Sequence, residues 1–234
     1  MAISTGVSGH RQGERLATNV GLATNSAAAS QGEEAVDLDG AALAHDFAEG
    51  MMLADARAPT WGGYRPGLGP HTEVQTVALV MAELARTHPA KYGAVQMGVP
   101  YPNAPHQKCD LLISPGEGRS WAIEVKMLRF MGDNGKPNDN MLMHILSPYP
   151  KHRSALTDCQ KLIASGFEQP NGILIYGYDY DDWPMEPAVE AFEQLARHRV
   201  QLGPRHFASF DDLIHPVHQR GGVFVWAISR LGPE

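Results

Sequence analysis

Three charged residues lie inside apolar runs of the sequence, where charge is costly. Asp110 opens the apolar run 110–113, and Glu124 and Lys126 lie within the apolar run Trp121–Leu128. Successive side chains of a strand alternate between its faces, so we expect Glu124 and Lys126 to share one face and Val125 to take the other. Two buried charges are destabilising unless a metal or a partner compensates them, which favours a functional site over a solvated pair on an edge strand.

These residues could together hydrolyse a phosphodiester bond. A connection of about six residues between the two strands favours a hairpin, which could place Asp110 beside Glu124. Two carboxylates on neighbouring strands form a site of hard oxygen ligands, which suits Mg²⁺. Lys126 could hold a water molecule, help to deprotonate it, or neutralise charge that develops on phosphorus.

The elements around these residues predict an α/β domain. Helical patterns cover residues 37–55, 72–88 (with Thr72 as N-cap), 153–164 and 186–198. Strand-like runs cover residues 92–99, 109–114, 121–128, 173–178 and 223–228. We expect residues 1–35 to be a disordered tail and residues 36–234 to form a single domain, with a central mixed sheet flanked by helices on both faces.

The pattern resembles the PD-(D/E)XK nuclease superfamily. Asp110 corresponds to the first acid, and Glu124-Val125-Lys126 corresponds to the (D/E)XK element, although Cys109 stands where the family has proline. The resemblance covers roughly residues 70–230 and implies a restriction-endonuclease-like core. It also implies Mg²⁺-dependent cleavage of DNA, with Asp110, Glu124 and the Val125 carbonyl around the metal. The family often carries a further acid on the helix before the strands, and Glu73 occupies that position; a first-turn glutamate is also favoured by the helix dipole alone.

Basic residues in the central third of the chain are the candidates for DNA contact. Residues 106–165 carry eight basic and six acidic groups, whereas the whole chain has a net charge of -7. Lys151, His152 and Arg153 precede a helix whose N-terminus could bind a phosphate. Lys136 lies in the long polar loop 132–150, which could reach into a groove or be a plain insertion.

The helix that follows could also supply a polar group to the site, as it does in many members of the superfamily. Gln160 and Lys161 are both candidates, and spacing does not decide between them. Lys161 could instead contact DNA together with the other cations. A solvated helix face explains these residues equally well.

Several function classes are disfavoured by the sequence. No stretch approaches the roughly 18 apolar residues of a membrane span, and no phosphate-binding Gly-Lys-Ser/Thr loop or Gly-x-Ser-x-Gly element occurs. His215 and His218 lack a cysteine or carboxylate at metal-site spacing, so zinc is not expected. With only two cysteines, we expect a cytoplasmic protein without a disulfide framework or an organic cofactor.

Two functional hypotheses follow from the sequence. The first is a Mg²⁺-dependent DNA endonuclease, with Mn²⁺ able to substitute, which acts in restriction or phage defence and could form a homodimer to cut both strands. The second is a catalytically silent module with the same fold that binds nucleic acid or protein. The acidic balance of both ends of the chain suits a protein partner better than DNA.

Overall fold

A mixed β-sheet carries helices on both of its faces. The computed structural model describes residues 39–58, 66–115, 119–168 and 170–232. The helices of these ranges are α1 (Gly40–Arg57), α2 (Glu73–Thr87), α3 (Pro89–Tyr92), α4 (Met143–Leu146), α5 (Ala155–Ala164) and α6 (Glu186–Ala196). The strands are β1 (Gln96–Tyr101), β2 (Ala104–Ile113), β3 (Trp121–Leu128), β4 (Asn171–Tyr178), β5 (Gln201–Leu202), β6 (His206–Phe210) and β7 (Gly221–Ser229).

The sheet combines an antiparallel meander with one parallel pair. Its strand order is β1-β2-β3-β4-β7-β5, and β6 also pairs with β7. The β3–β4 pair is parallel over its full length, from Ala122 opposite Asn171 to Leu128 opposite Gly177. The β1–β2, β2–β3 and β4–β7 pairs are antiparallel. A parallel pair needs a crossover connection, and the segment that contains α5 supplies it.

Two separate apolar layers cover the two faces of the sheet. Ile123 and Val125 of β3 pack in a layer with residues of α1 and α2. Ala122 and Leu128 pack in the opposite layer with residues of α5 and α6. Burial on both faces explains why β3 and β4 read as nearly continuous apolar runs.

The structure confirms the mixed α/β fold class, and several predicted elements differ in extent. Tyr92 was expected in a strand but is buried in α3, because Pro89 starts a short helix there and β1 begins only at Gln96. The sequence analysis missed β5 and β6, two short strands that pair only with β7. It also missed α4 within the loop 132–150. The predicted tail, residues 1–35, lies outside the described residues, which all belong to one compact unit.

Thr72 caps the start of α2, as predicted, and forms a capping box with Gln75. The Thr72 hydroxyl accepts a hydrogen bond from the Gln75 N–H at 3.4 Å, and the Gln75 amide oxygen accepts one from the Thr72 N–H at 3.0 Å. Glu73 is therefore the first residue of the helix. This arrangement holds its side chain at the end of α2 that faces β3.

None of the helices in the described ranges combines the length and the apolar character that a bilayer crossing requires.

Asp55 at the end of α1 joins two loops to the core. Its carboxylate is buried and accepts hydrogen bonds from the N–H groups of Leu68, at 2.6 Å, and Ile214, at 2.7 Å. We predict that Asp55→Ala lowers the free energy of unfolding by about 2–4 kcal/mol, because one buried and one part-buried backbone N–H lose a charged acceptor. Urea unfolding measures the change, with the exposed Asp182→Ala as control. Equal stability of the two variants would contradict the prediction.

Candidate active site

Glu124 and Lys126 share one face of β3, as the alternation of a strand predicts. Their neighbours Ala122 and Leu128 belong to the layer that contains α5, whereas Val125 belongs to the layer that contains α1 and α2. Both charged side chains are almost fully buried, with 2% of Glu124 and 9% of Lys126 exposed. β3 therefore presents a carboxylate and an ammonium group to α5 in an otherwise apolar setting.

Asp110 lies where β2 leaves β3. The paired residues of these strands run from Ile113 opposite Trp121 to Leu111 opposite Ile123, and the next pair would be Asp110 and Glu124. At this position the Asp110 carboxylate accepts a hydrogen bond from the Val125 N–H at 2.9 Å. In a continuous ladder, a backbone carbonyl of β2 would accept this bond instead. Cys109 and Leu111 belong to opposite apolar layers, so the alternation of β2 is interrupted at Asp110.

The Lys126 ammonium group is surrounded by oxygen atoms from three elements. Its Nζ atom lies 2.7 Å from Oδ2 of Asp158 on α5 and 3.1 Å from the carbonyl oxygen of Val125, which accepts a hydrogen bond from it. Oε1 of Glu73, at the start of α2, lies 3.9 Å away. The other Glu73 oxygen accepts a hydrogen bond from the Met127 N–H at 2.6 Å. Lys126 is thus the point where the helices of both layers meet β3.

A second ammonium group, that of Lys161, reaches the same cluster from α5. Its Nζ atom contacts Oδ1 of Asp158 and lies 3.7 Å from Oε1 of Glu124. The same Glu124 oxygen accepts a hydrogen bond from the Tyr101 hydroxyl. Of the two candidates on α5, the structure brings Lys161 to the site, whereas Gln160 is exposed and bonds to Arg199.

Burial and crowding disfavour the ionised form of three of these carboxyl groups. Desolvation raises the pKa values of Glu73, Asp110 and Glu124, and Asp158 raises each of them further. Burial alone would lower the pKa of Lys126, but Asp158, Glu73 and Asp110 together raise it above its ordinary value. The four carboxylates outnumber the two ammonium groups, so the ionised cluster carries an excess of two negative charges.

The donor set fits a divalent cation in part. Within the described residues, Oδ1 of Asp110 and Oε2 of Glu124 make no hydrogen bond, so one oxygen of each predicted metal ligand is available. The Val125 carbonyl, also predicted as a ligand, accepts a hydrogen bond from Lys126. Two clusters of three potential ligands occur in the described part of the chain, and both lie elsewhere. A cation bound by these residues would have to draw the carboxylates closer together and displace the lysine contact.

The predicted DNA-contacting residues lie on the surface, with one exception. Lys136, Lys151 and Arg153 are exposed, and His152 is half-buried with its Nδ1 atom 2.5 Å from the Ser147 hydroxyl. Lys161 is the exception, because its ammonium group faces Asp158 and Glu124.

The start of α5 is capped within the chain. The hydroxyl of Ser154 accepts a hydrogen bond from the Thr157 N–H, so one of the donors proposed for a phosphate has a partner.

Sequence reasoning missed Asp158 and Tyr101. Asp158 is fully buried although it is charged, and it lies three residues before Lys161 on the buried face of α5. The signal that could have identified Asp158 is its place on the apolar face of α5, because Lys126 of the preceding strand needs a negatively charged partner. Tyr101 ends β1, and nothing in its local sequence points to Glu124.

A separate cluster contains the two histidines for which zinc was not expected. His218 Nε2 lies 3.1 Å from Oδ1 of Asp133, which is 85 positions upstream and so beyond any local spacing pattern. The fold therefore supplies a carboxylate that the local spacing of the histidines did not indicate. Burial lowers the pKa of His218 to about 4, so the ring is neutral at neutral pH. Asp133, His215 and His218 place their potential ligand atoms within 4.8 Å of one another.

Comparison with known proteins adds no relative: no family model, no curated protein and no solved structure matches this chain.

The buried Glu124 carboxyl predicts a pH-dependent stability. Because burial raises its folded-state pKa from 4.5 to about 8, this group contributes stability that is fully present below about pH 4.5 and is lost as the pH rises through about 8. Glutamine cannot ionise. Without divalent metal, we predict that Glu124→Gln becomes more stable than the wild type by about 1–3 kcal/mol between about pH 5 and about pH 9.

Urea unfolding across this pH range measures the difference. The exposed Glu190→Gln serves as the matched control and should follow the wild type at every pH. A constant difference between Glu124→Gln and the wild type would show that Glu124 keeps an ordinary pKa.

Proposed function

We propose that this protein is a Mg²⁺-dependent endonuclease that hydrolyses phosphodiester bonds in DNA on a restriction-endonuclease-like core. The observation that carries the proposal is the convergence of Glu73, Asp110, Glu124 and Lys126 from α2, β2 and β3 at one partly buried position. The element order supports it, because a helix, a three-stranded meander, a helix and a strand follow one another, which is the core order of the superfamily that the sequence resembles. The last of these strands, β4, pairs parallel to β3.

The charge of the site also supports a bound divalent cation. Burial raises the pKa values of Glu73, Asp110 and Glu124, and repulsion from Asp158 raises them further. A divalent cation would offset both the cost of burial and the repulsion. Asp110 and Glu124 each have one oxygen available for it. Mg²⁺ or Mn²⁺ held there would polarise the scissile phosphate and acidify a bound water.

In this proposal each residue of the chain has one task. Lys126 orients the attacking water, and its contact with Asp158 fixes the direction of its ammonium group. Glu73 assists by positioning Lys126 and the water. The water oxygen forms a bond to phosphorus as the bond to the 3′ oxygen breaks in line, which leaves a 5′-phosphate and a 3′-hydroxyl. Cutting both strands requires a second active site, which a homodimer would supply.

A specific observation favours the second candidate function, a catalytically silent binding module. The Lys126 ammonium is held by Asp158 and by the Val125 carbonyl, and the Glu124 carboxylate by Tyr101 and Lys161. In this arrangement both ammonium groups have partners within the chain, as they would in a site that has lost its metal. The nicking experiment below decides between the two functions.

We predict that the purified full chain nicks supercoiled plasmid DNA with Mg²⁺ or Mn²⁺ and not with EDTA. Glu124→Gln should lower the rate about 10²-fold or more, because it removes a metal ligand. Lys126→Met should have a similar effect, since it removes the group that orients water while keeping the side-chain volume. Agarose gels report the fraction nicked.

The exposed Glu190→Gln is the matched control for Glu124→Gln and should cut like the wild type. Circular dichroism verifies that each variant is folded. Full activity in EDTA or in Glu124→Gln would refute the nuclease proposal. Folded protein that binds the plasmid without cutting it under either metal would assign the silent module instead.

Arg153 offers a clean test of the DNA-contacting surface. Its φ angle is 48°, in the left-handed region where glycine is favoured, so Arg153→Gly removes the charge without backbone strain. If Arg153 contacts phosphate, this variant should weaken DNA binding and reduce the slope of log affinity against log salt by about 1. Fluorescence anisotropy with a labelled duplex measures both quantities.

Arg86→Ala, at the end of α2 opposite Glu73, is the control and should leave the slope unchanged. If Arg153→Gly and the wild type have the same slope of log affinity against log salt, Arg153 does not contact DNA.

A further inference from the structure

Two buried histidines and one aspartate form a cluster that shares no residue with the proposed nuclease site. His215 and His218 lie in the segment between β6 and β7, and both are fully buried. Their rings stack with centroids 4.6 Å apart. Asp133 comes from the loop after β3, and its side chain is 31% exposed. Two imidazoles and a carboxylate are a donor set typical of Zn²⁺ sites in proteins.

The spacing of the donor atoms is close to what tetrahedral zinc needs. Two ligands at zinc–nitrogen and zinc–oxygen distances of about 2.0–2.1 Å are roughly 3.3 Å apart in a tetrahedron. His218 Nε2 and Asp133 Oδ1 are 3.1 Å apart, and all three residues offer a ligand atom within 4.8 Å of the others. Side-chain movements of about 1 Å would complete the coordination triangle.

The surroundings of His218 hold it in position for a metal, and Asp133 has a cationic neighbour. Metal-bound histidines usually bond through their second ring nitrogen, and metal-bound carboxylates usually have a hydrogen-bonding neighbour. His218 Nδ1 lies 2.7 Å from the Tyr180 hydroxyl, and Arg129 Nη1 lies 3.7 Å from Oδ1 of Asp133. The guanidinium also repels a cation, but Asp133 is partly exposed, so solvent weakens this repulsion.

The His215 ring is packed against the ring of His218. Its Nδ1 atom accepts long hydrogen bonds from the N–H groups of Val217, at 3.3 Å, and His218, at 3.4 Å. Zinc binding through the other ring nitrogen would place the ring proton on Nδ1, so these two weak contacts would be lost. Gly69 packs directly on both rings: a Cβ atom there would lie 2.6 Å from His215 Cγ and 2.7 Å from His218 Cδ2.

We propose that Asp133, His215 and His218 bind one Zn²⁺ ion, which links the loop after β3 to the segment between β6 and β7. Three protein ligands leave one coordination position for water, on the side where Asp133 reaches solvent. The only other cluster of three potential ligands in the described ranges is His45, Asp46 and Glu49 on α1. That cluster is a poorer candidate, because the His45 side chain is 78% exposed and Asp46 already binds Lys91 and Tyr92.

Zinc titration of the untagged full chain tests the proposal. After dialysis against a chelator, isothermal titration with ZnCl₂ should show one ion bound per chain, and excess MgCl₂ should not displace it. Asp133→Asn should weaken binding at least about tenfold and His218→Ala should abolish it. Co²⁺ in place of zinc should give the visible absorption of a tetrahedral site in the wild type and not in His218→Ala.

Two matched controls locate the bound ion. His45→Ala removes a histidine of the other cluster, and His198→Ala removes an exposed histidine of neither, so both should bind zinc like the wild type. Because His218→Ala could fail to fold, circular dichroism accompanies each titration, and the partly exposed Asp133→Asn gives an independent reading. Absence of zinc binding to the folded wild type overturns the proposal. Binding that survives Asp133→Asn unchanged, or that His45→Ala abolishes, also overturns it.

Discussion

The burial of the Lys126 ammonium group constrains much of the structure around it. Lys126 lies on a strand that is apolar on both faces, so its charge must be balanced by oxygen atoms that other elements bring. Asp158 comes from the α5 layer and Glu73 from the α2 layer. One buried cation therefore fixes the position of two helices on opposite faces of the sheet, and it does so at the end of β3 where they can both reach it.

The sequence predicts the parts of this site that depend on local periodicity. Alternation places Glu124 and Lys126 on one face, and the cap at Thr72 places Glu73 at the start of a helix. It does not predict that Asp110 bonds to the Val125 N–H in place of a backbone partner, because that depends on where two strands separate. Asp158 is likewise set by the packing of α5 on β3. Alternation and capping act over a few residues, whereas these contacts join distant parts of the chain.

The fold shows the same division between local and long-range signals. β3 and β4 are recognisable because a strand buried on both faces has a composition of its own. β5 and β6 are short and are strands because they pair with β7. Their own local sequences are therefore not enough to predict them. The pairing of Asp133 with His218 has the same origin, since the fold brings together two residues that are 85 positions apart.

The histidine cluster and the lysine cluster are coupled through a short piece of chain. Gly69 packs on His215 and His218, its carbonyl accepts a hydrogen bond from Arg129, and Thr72 caps α2 three residues later. Movement of the histidine rings toward Gly69 would therefore press on the segment that leads into Glu73. Because Glu73 contacts both the Met127 N–H and Lys126, such a shift would alter the electrostatic balance at Lys126. An ion that fixed the histidines would make that balance more rigid without touching any residue of the lysine cluster.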